Sequence, residues 1–227
     1  NEQGFVDNGL QADQIGGALG QYYLIKYAGV NPANGNPLFH TVDGGLTETI
    51  TDANRVFTGK SQYPVWQGGF NTNVSYKGFT LYTQWSFVAD IYRNNLDLGT
   101  LEDGTPGSLD SGNRSVTMLN AWQSPGDITS IPRVGHGYNE IDYINSTDRY
   151  LEDASYLRLR NIKLSYNFTS DQLSRTFLKG LGFFIQAENI VTFSSWRGWD
   201  PESNFRSTDR GQYPTPKIFT FGTSINF

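Results

Sequence analysis

The sequence lacks the features that define several large classes of protein. It contains no cysteine, so there is no disulfide framework, although a large barrel needs none because backbone hydrogen bonds hold it closed. No apolar run approaches the roughly 18 residues that a membrane-crossing helix requires, which excludes an inner-membrane protein built from helices. The formal net charge of −5 argues against a nucleic-acid partner, because nothing here would neutralise a run of phosphates.

Motifs for catalysis and for bound metals are missing as well. There is no G-x-S-x-G, no glycine-rich phosphate loop and no H-E-x-x-H. The two histidines, His40 and His136, lack the partner spacing of a zinc site, and we predict that both are surface residues. Two acidic segments match no complete calcium-binding loop, and we predict that both are solvated loops: Glu102-Asp103-Gly104 and Asp110-Ser111-Gly112-Asn113. The sequence therefore predicts a protein that is not an enzyme, with no catalytic residue, metal or cofactor.

Aromatic residues make up 15% of the sequence, and there are 25 glycines. Both residue types favour strands and tight turns. The segment from Lys217 to Phe227 alternates between large apolar and small polar side chains, which predicts a strand with two unlike faces. Upstream segments repeat this alternation over lengths that span a bilayer. The mean hydropathy of −0.47 is compatible with transmembrane strands, because an outer-membrane strand faces lipid only at every second residue.

A hairpin between Trp66 and Ile91 carries the most information. Segments of about 9 to 11 residues span a bilayer as tilted strands, and Trp66–Tyr76 and Phe79–Ile91 are long enough. A turn at Lys77-Gly78 would place three apolar pairs on one face: Tyr76 with Phe79, Val74 with Leu81, and Phe70 with Trp85. A four-residue loop with the same register, or a hairpin of a soluble sandwich, remains open.

Four further segments are predicted strands, which makes about six. They are Gln21–Ala28, Leu157–Phe168 with a β-bulge near Arg160-Asn161, Phe183–Val191 and Lys217–Phe227. Ser170 is predicted to cap a short helix. The ranges 29–64, 93–154 and 192–216 are predicted loops. About eight strands are the minimum for a closed barrel, so the remaining strands must come from elsewhere in a longer chain or from other subunits.

The direction of the strands is consistent with a transmembrane arrangement. If the C-terminus is periplasmic, the three long loops lie outside the cell, whereas the Lys77-Gly78 turn and the 169–182 connection lie in the periplasm. The side chains that we predict to face lipid are Phe70, Val74, Tyr76, Phe79, Leu81, Trp85, Phe87, Ile162, Leu164, Phe183, Ile185, Phe219, Phe221, Ile225 and Phe227.

Tryptophans with charged neighbours in the predicted outer loops are candidates for binding. Exposed tryptophan beside charge stacks on sugar rings or packs on a partner protein. The candidates are Trp122, Arg133, Trp196, Arg197, Trp199 and Asp200. The alternatives are that these rings anchor the loops to one another or sit in the interfacial girdle.

An ordered set of motifs resembles the C-terminal part of SusC/RagA-type TonB-dependent transporters. The matching motifs are Tyr27-Ala28-Gly29-Val30-Asn31-Pro32 with Gly35, Tyr63-Pro64, Gly68-Gly69-Phe70, Tyr76-Lys77-Gly78-Phe79, Ala121-Trp122, Ile131-Pro132-Arg133, the run Glu152 to Asn161, Glu188-Asn189, Asp200-Pro201-Glu202, Tyr213-Pro214 and Phe227. They cover nearly the whole chain.

The resemblance implies an all-β fold: about the last six strands of an antiparallel barrel of roughly 22 strands, with the plug and the TonB-contacting segment absent from this chain. It implies import of glycans or oligopeptides across the outer membrane of a Bacteroidetes-type bacterium. The implied partners are the remainder of the barrel, a SusD-like lipoprotein lid that the candidate binding residues could contact instead of substrate, the TonB complex and membrane lipid. The alternatives are a soluble secreted carbohydrate-binding module and a different outer-membrane barrel, such as an adhesin or a secretion pore.

Overall fold

The computed structural model describes residues 4–105, 112–135, 145–202 and 213–227. The strands in these ranges are β1 (Phe5–Asp7), β2 (Gln11–Gln14), β3 (Gln21–Ile25), β4 (Tyr27–Val30), β5 (Pro37–His40), β6 (Leu46–Thr47), β7 (Arg55–Ser61), β8 (Trp66–Tyr76), β9 (Phe79–Ala89), β10 (Tyr92–Asn94), β11 (Leu151–Asp153), β12 (Tyr156–Asn167), β13 (Gly180–Ser194) and β14 (Ile218–Asn226). The helices are α1 (Leu96–Leu101) and α2 (Ser170–Leu173), with 3₁₀ turns at Asp52–Asn54 and Val116–Asn120. Within the described ranges, no helix has the length and apolar character needed to cross a membrane.

The chain divides into two compact units. The sheet unit comprises Val65–Ala89, Ser155–Ser195 and Gln212–Phe227, and the folded-loop unit comprises Asn1–Pro64, Asp90–Ala154 and Trp196–Gly211. The sheet unit is one five-stranded antiparallel sheet in the order β14-β13-β12-β9-β8. Its strands contain 9 to 15 residues, which is enough to span a bilayer.

The predicted register of the β8–β9 hairpin is confirmed. Tyr76 pairs with Phe79, Val74 with Leu81, and Phe70 with Trp85. The turn has two residues, and both have positive φ: 47° at Lys77 and 88° at Gly78. Positive φ at both central residues is typical of the type I′ turn, whose twist matches that of the strands. The four-residue alternative is therefore not adopted.

The predicted bulge is also confirmed, because the register of β12 against both neighbours shifts between Leu159 and Asn161. The predicted helix cap is wrong by one residue. Ser170 is the first residue of α2, and Thr169 is the cap, with its hydroxyl accepting from the backbone N–H of Gln172. Gln172 accepts from the backbone N–H of Thr169 in return, which completes a capping box.

The two faces of the sheet differ throughout, as the alternation predicts. Pairing aligns side chains from all five strands in transverse rows. One such row on the apolar face is Val74, Leu81, Leu164, Ile185 and Phe221. The neighbouring row on the opposite face is Asn73, Tyr82, Lys163, Gln186 and Thr220. The register is unbroken from Asn161 to Tyr166 of β12, so the apolar side chains of all five strands on this side of the bulge form one surface rather than separate patches.

The folded-loop unit corrects the sequence analysis in one respect. Much of 29–64 forms short strands and turns around a core rather than loop, whereas the described part of 93–154 contains strand only at its two ends, in β10 and β11. The strands form three small sheets, β1-β2-β3-β7, β4-β5-β6 and β10-β11. The core contains two clusters of buried side chains: Ile25, Phe39 and Tyr150 in one, and Tyr22, Leu24 and Leu151 in the other.

The predicted strand Gln21–Ala28 is therefore not a membrane strand. It breaks at Lys26 into β3 and β4, which belong to different sheets. β3 pairs with β7, whereas β4 pairs with β5. Leu24 and Ile25 point to opposite faces of β3, yet both are completely buried. A strand buried on both faces belongs to a packed core, so the long sheet has five strands rather than six.

Candidate functional site

The polar face of the sheet unit concentrates cationic side chains on β12. Arg158 is only 2% exposed, and its guanidinium donates to the hydroxyls of Thr192 at 3.0 Å and Thr215 at 2.9 Å. The Arg160 guanidinium donates to the Ser86 hydroxyl at 2.7 Å. Because these partners lie on β9, on β13 and in the segment preceding β14, the two arginines connect the polar face across its strands.

Further along β12, a lysine and an aromatic ring form a second feature of this face. The Lys163 ammonium lies 4.4 Å from the centre of the Phe184 ring, within the range of a cation–π contact. The Phe184 ring in turn covers Gly222 so closely that a side chain there would meet it at 2.3 Å. Glu188 on the same face accepts from the Gln186 amide at 2.9 Å. This face thus offers both charge and an aromatic surface to a polar solute.

The opposite face is apolar and open. Of the residues predicted to face lipid, Trp85, Phe87 and Ile162 are half-buried, and the others are exposed: Phe70, Val74, Tyr76, Phe79, Leu81, Leu164, Phe183, Ile185, Phe219, Phe221, Ile225 and Phe227. Phe70 and Trp85 stack with ring centres 6.0 Å apart. None of the fifteen is buried, and their lipid contact remains a prediction.

Trp122, the first of the candidate binding residues, serves as an anchor in the folded-loop unit. Its indole packs on Gly35, where an added Cβ would meet the ring at 2.4 Å, and its Nε1 donates to the Pro32 carbonyl at 3.1 Å. Gly35 has a φ of +76°, so both its backbone conformation and the close contact require glycine. Arg133 donates to the side chain of Asn36 at 3.0 Å. Both residues therefore stabilise the turn 31–36.

A carboxylate completes this turn. Glu48 accepts hydrogen bonds from the side-chain amides of Asn31 at 2.6 Å, Asn34 at 2.9 Å and Asn36 at 2.8 Å. These bonds, with a smaller contribution from the Arg133 charge, lower the pKa of Glu48 below 4.5. Sequence reasoning missed Glu48, although three asparagines in a six-residue turn are a signal that an acceptor must lie nearby.

We expect Glu48→Gln to destabilise the folded-loop unit by about 1–2 kcal/mol at neutral pH, since hydrogen bonds to a charged acceptor contribute more than neutral ones. Because the folded-state pKa is lowered, the stabilisation is fully present above pH 4.5 and is lost as the pH falls through the folded value. The loss of stability is measured by amide hydrogen exchange of β4 and β5 in the wild type and in Glu48→Gln, at neutral and at acidic pH. Asp52→Asn, which removes an exposed carboxylate of the same unit, is the control. An equal difference at both pH values would contradict the expectation.

The second group of candidates follows β13. The Arg197 guanidinium donates to the Glu152 carboxylate at 2.5 and 2.9 Å and leaves 56% of its side chain exposed. Trp199 is 79% exposed, whereas Trp196 is half-buried. Asp200 is buried and accepts from the backbone N–H of Glu202. Arg197 and Trp199 are therefore the candidates that a large ligand or a partner protein can reach.

The acidic piece at 102–104 is not solvated loop, which corrects that expectation. Glu102 and Asp103 are buried. Glu102 accepts from the Thr117 hydroxyl at 2.8 Å and forms an ion pair with Arg149 at 3.4 Å. Asp103 accepts from the backbone and the hydroxyl of Thr105. His40 is exposed, as predicted, while His136 and Asp110 lie outside the described residues.

A sheet of strands long enough to cross a bilayer, apolar on one face and polar on the other, is the architecture of a transmembrane β-barrel wall. No protein-family model matches the chain. Among curated proteins, it is 28% identical to TonB-dependent receptor P3 of Formosa agariphila over 98% of this chain and 24% of that protein. It is also 28% identical to TonB-dependent receptor SusC of Bacteroides thetaiotaomicron over 96% of this chain and 20% of that protein.

Solved structures agree with these relatives. The chain superposes on a structure of the RagAB peptide transporter with a TM-score of 0.83 and 26% identity, covering 98% of this chain and 24% of that one. The RagAB peptide importer in its 'closed-closed' state gives a TM-score of 0.84, also at 26% identity. This match confirms the predicted fold class of antiparallel barrel strands.

The chain is therefore similar, over nearly its whole length, to SusC/RagA-type TonB-dependent transporters, as its motifs predict. It spans about a quarter or less of the length of the curated relatives that it matches. The matched proteins are named as receptors and transporters rather than enzymes, in agreement with the missing catalytic motifs.

Proposed function

We propose that this chain forms the C-terminal part of the barrel wall in an outer-membrane, TonB-dependent importer of glycans or oligopeptides. The observation that carries the proposal is the single continuous apolar face of the five-stranded sheet. Such a face is stable against lipid but not against water. The polar face with Arg160 and Lys163 then lines the lumen and contributes to the path of the solute, with no covalent chemistry, while the buried Arg158 holds the strands of this face together.

The proposed partners follow from the same arrangement. The remaining strands of the barrel would pair with the edge strands β8 and β14, because an unpaired sheet edge does not persist in lipid. A SusD-like surface lipoprotein would act as a lid, and the exposed Arg197 and Trp199 are the residues that we place in contact with the lid or the cargo. Energy would come from the TonB complex through a part of the protein that this chain does not contain.

The proposed orientation places the C-terminus in the periplasm and the connections 29–64, 93–154 and 192–216 outside the cell. Strand direction supports it, because the two-residue turn at Lys77-Gly78 and the connection from β12 to β13 leave the same end of the sheet, opposite to the end at which β9 and β13 terminate. Short turns face the periplasm in barrels of this kind.

The absence of cysteine from the chain makes a direct test of this topology possible. We expect Trp199→Cys to react with a membrane-impermeant maleimide on intact cells. We expect Lys77→Cys to react only after the outer membrane is permeabilised. The parent protein without an introduced cysteine corrects for background labelling.

Two results would overturn the proposal. Labelling of both cysteines on intact cells would contradict the orientation. Recovery of the protein in aqueous buffer, without detergent and away from the outer-membrane fraction, would contradict the transporter itself.

A further inference from the structure

The end of the sheet that carries the Lys77-Gly78 turn bears a band of aromatic rings. The ring centres of Phe79 and Tyr166 are 4.6 Å apart, those of Tyr166 and Phe168 are 4.9 Å apart, and those of Phe168 and Phe183 are 6.1 Å apart. The Tyr166 hydroxyl accepts from the Gln172 amide at 2.9 Å. A band of rings with a polar tip is typical of the level of the lipid headgroups.

Three cationic side chains at the same end have no acidic partner in the described part of the chain. Lys77 lies in the turn itself, where its ammonium is 5.2 Å from the centre of the Tyr76 ring. Arg175 and Lys179 lie in the connection between β12 and β13 and are exposed. Asp171 is the carboxylate nearest to them in sequence, and it forms no ion pair with either. The turn and the β12–β13 connection thus carry three cations and one carboxylate, an excess of positive charge in a chain whose formal net charge is −5.

An apolar groove begins at Phe79, two residues from Lys77. Its volume is about 520 Å³, and large side chains including Phe79, Leu164, Phe183 and Phe221 line it. The groove exists because Thr223 lies opposite Phe183 in the register and fills less space than the aromatic residues around it. The groove thus lies on the face proposed to contact lipid, and it opens next to the cationic turn.

We propose that the groove and the three cations together bind one anionic phospholipid of the surrounding bilayer. An acyl chain lies in the groove and the phosphate lies at the Lys77 turn, while Arg175 and Lys179 add positive charge at the same end of the sheet. The inference rests on the proposed membrane location of the sheet. A zwitterionic phospholipid has the same acyl chains but no net charge. The cations therefore provide the selectivity for anionic over zwitterionic lipid. Each cation near an anionic lipid surface contributes about fivefold in affinity.

The test uses the intact importer in a zwitterionic detergent. Native mass spectrometry measures the amounts of dioleoylphosphatidylglycerol and dioleoylphosphatidylcholine retained when both are supplied. We expect the wild type to prefer phosphatidylglycerol, and the combined variant Lys77→Gln, Arg175→Gln and Lys179→Gln to lower that preference at least tenfold. Thr223→Trp, which fills the groove without changing charge, is expected to reduce the retention of both lipids.

A matched control removes charge elsewhere. Lys26→Gln with Lys217→Gln eliminates two exposed lysines that lie outside the turn and the β12–β13 connection, and it should leave the lipid preference unchanged. Equal retention of the two lipids by the wild type, or an equal effect of the control variant, overturns the inference. A wild type that folds in micelles and fractionates with outer membranes, yet shows no lipid preference, leaves the transporter proposal intact. A protein that needs no detergent overturns both.

Discussion

Replacing Ile185 with arginine is expected to destabilise the membrane-inserted protein by about 1–2 kcal/mol, because the cost of arginine on the lipid face falls from about 2–4 kcal/mol at the bilayer midplane to about 0–1 kcal/mol near the headgroups, and Ile185 lies between these two levels. Ile185 lies on β13, paired with Leu164 on one side and Phe221 on the other. An arginine there would place its charge among apolar side chains that face hydrocarbon. Guanidinium unfolding in phospholipid vesicles measures the difference from the wild type.

Gln186→Arg is the matched control, because Gln186 is the next residue of the same strand and points to the opposite face. Its neighbours there are Glu188, which already accepts a hydrogen bond from Gln186, and Lys163, which lies opposite on β12. An arginine at this position has water and the Glu188 carboxylate available, and these offset the repulsion from Lys163. We expect a change within about 0.5 kcal/mol, as for most surface substitutions. Similar losses for Ile185→Arg and Gln186→Arg would show that the faces are wrongly assigned.

Phe39→Ala is expected to destabilise the folded-loop unit by about 3–5 kcal/mol, which is the usual cost of deleting a buried phenylalanine ring. Phe39 is completely buried against Ile25 and Tyr150. The deletion leaves a cavity in this cluster, because Ile25 is held in β3 by strand pairing and Tyr150 is itself almost completely buried. Amide hydrogen exchange should show increased exposure throughout β3, β4 and β5.

Leu46→Ala is the control for that substitution. Leu46 belongs to β6, in the same small sheet as Phe39, but it is 59% exposed. We expect a loss below about 0.5 kcal/mol, as for most surface positions. If Phe39→Ala left exchange in β3 to β5 unchanged, the cluster around Phe39 could not be the core of the unit.

The five-stranded sheet could be predicted from the sequence because its signals are local. Alternation with a period of two assigns each side chain to a face, and the Lys77-Gly78 turn determines the register of the first hairpin. Each predicted strand boundary in the sheet lies within three residues of the observed one. The bulge near Arg160 was visible as a change of phase within one strand.

The folded-loop unit could not be predicted in this way because its core depends on residues far apart in sequence. Ile25 and Phe39 precede the long hairpin, while Tyr150 follows it. Short strands of two to seven residues show too few alternations to reveal a period. The sequence could not show which binding candidates are accessible for the same reason. No local pattern distinguishes Trp122, which is anchored by a hydrogen bond to Pro32, from the exposed Trp199.

The pairing of β10 with β11 has a consequence for how the protein assembles. β10 begins shortly after β9 ends, and β11 ends shortly before β12 begins, with Tyr92 opposite Asp153. The intervening segment is more than fifty residues long, and the pairing of β10 with β11 holds its two ends together. Contacts within this segment offset the entropy cost of closing so long a loop. We therefore expect β9 and β12 to pair during folding about as readily as two strands joined by a short hairpin turn.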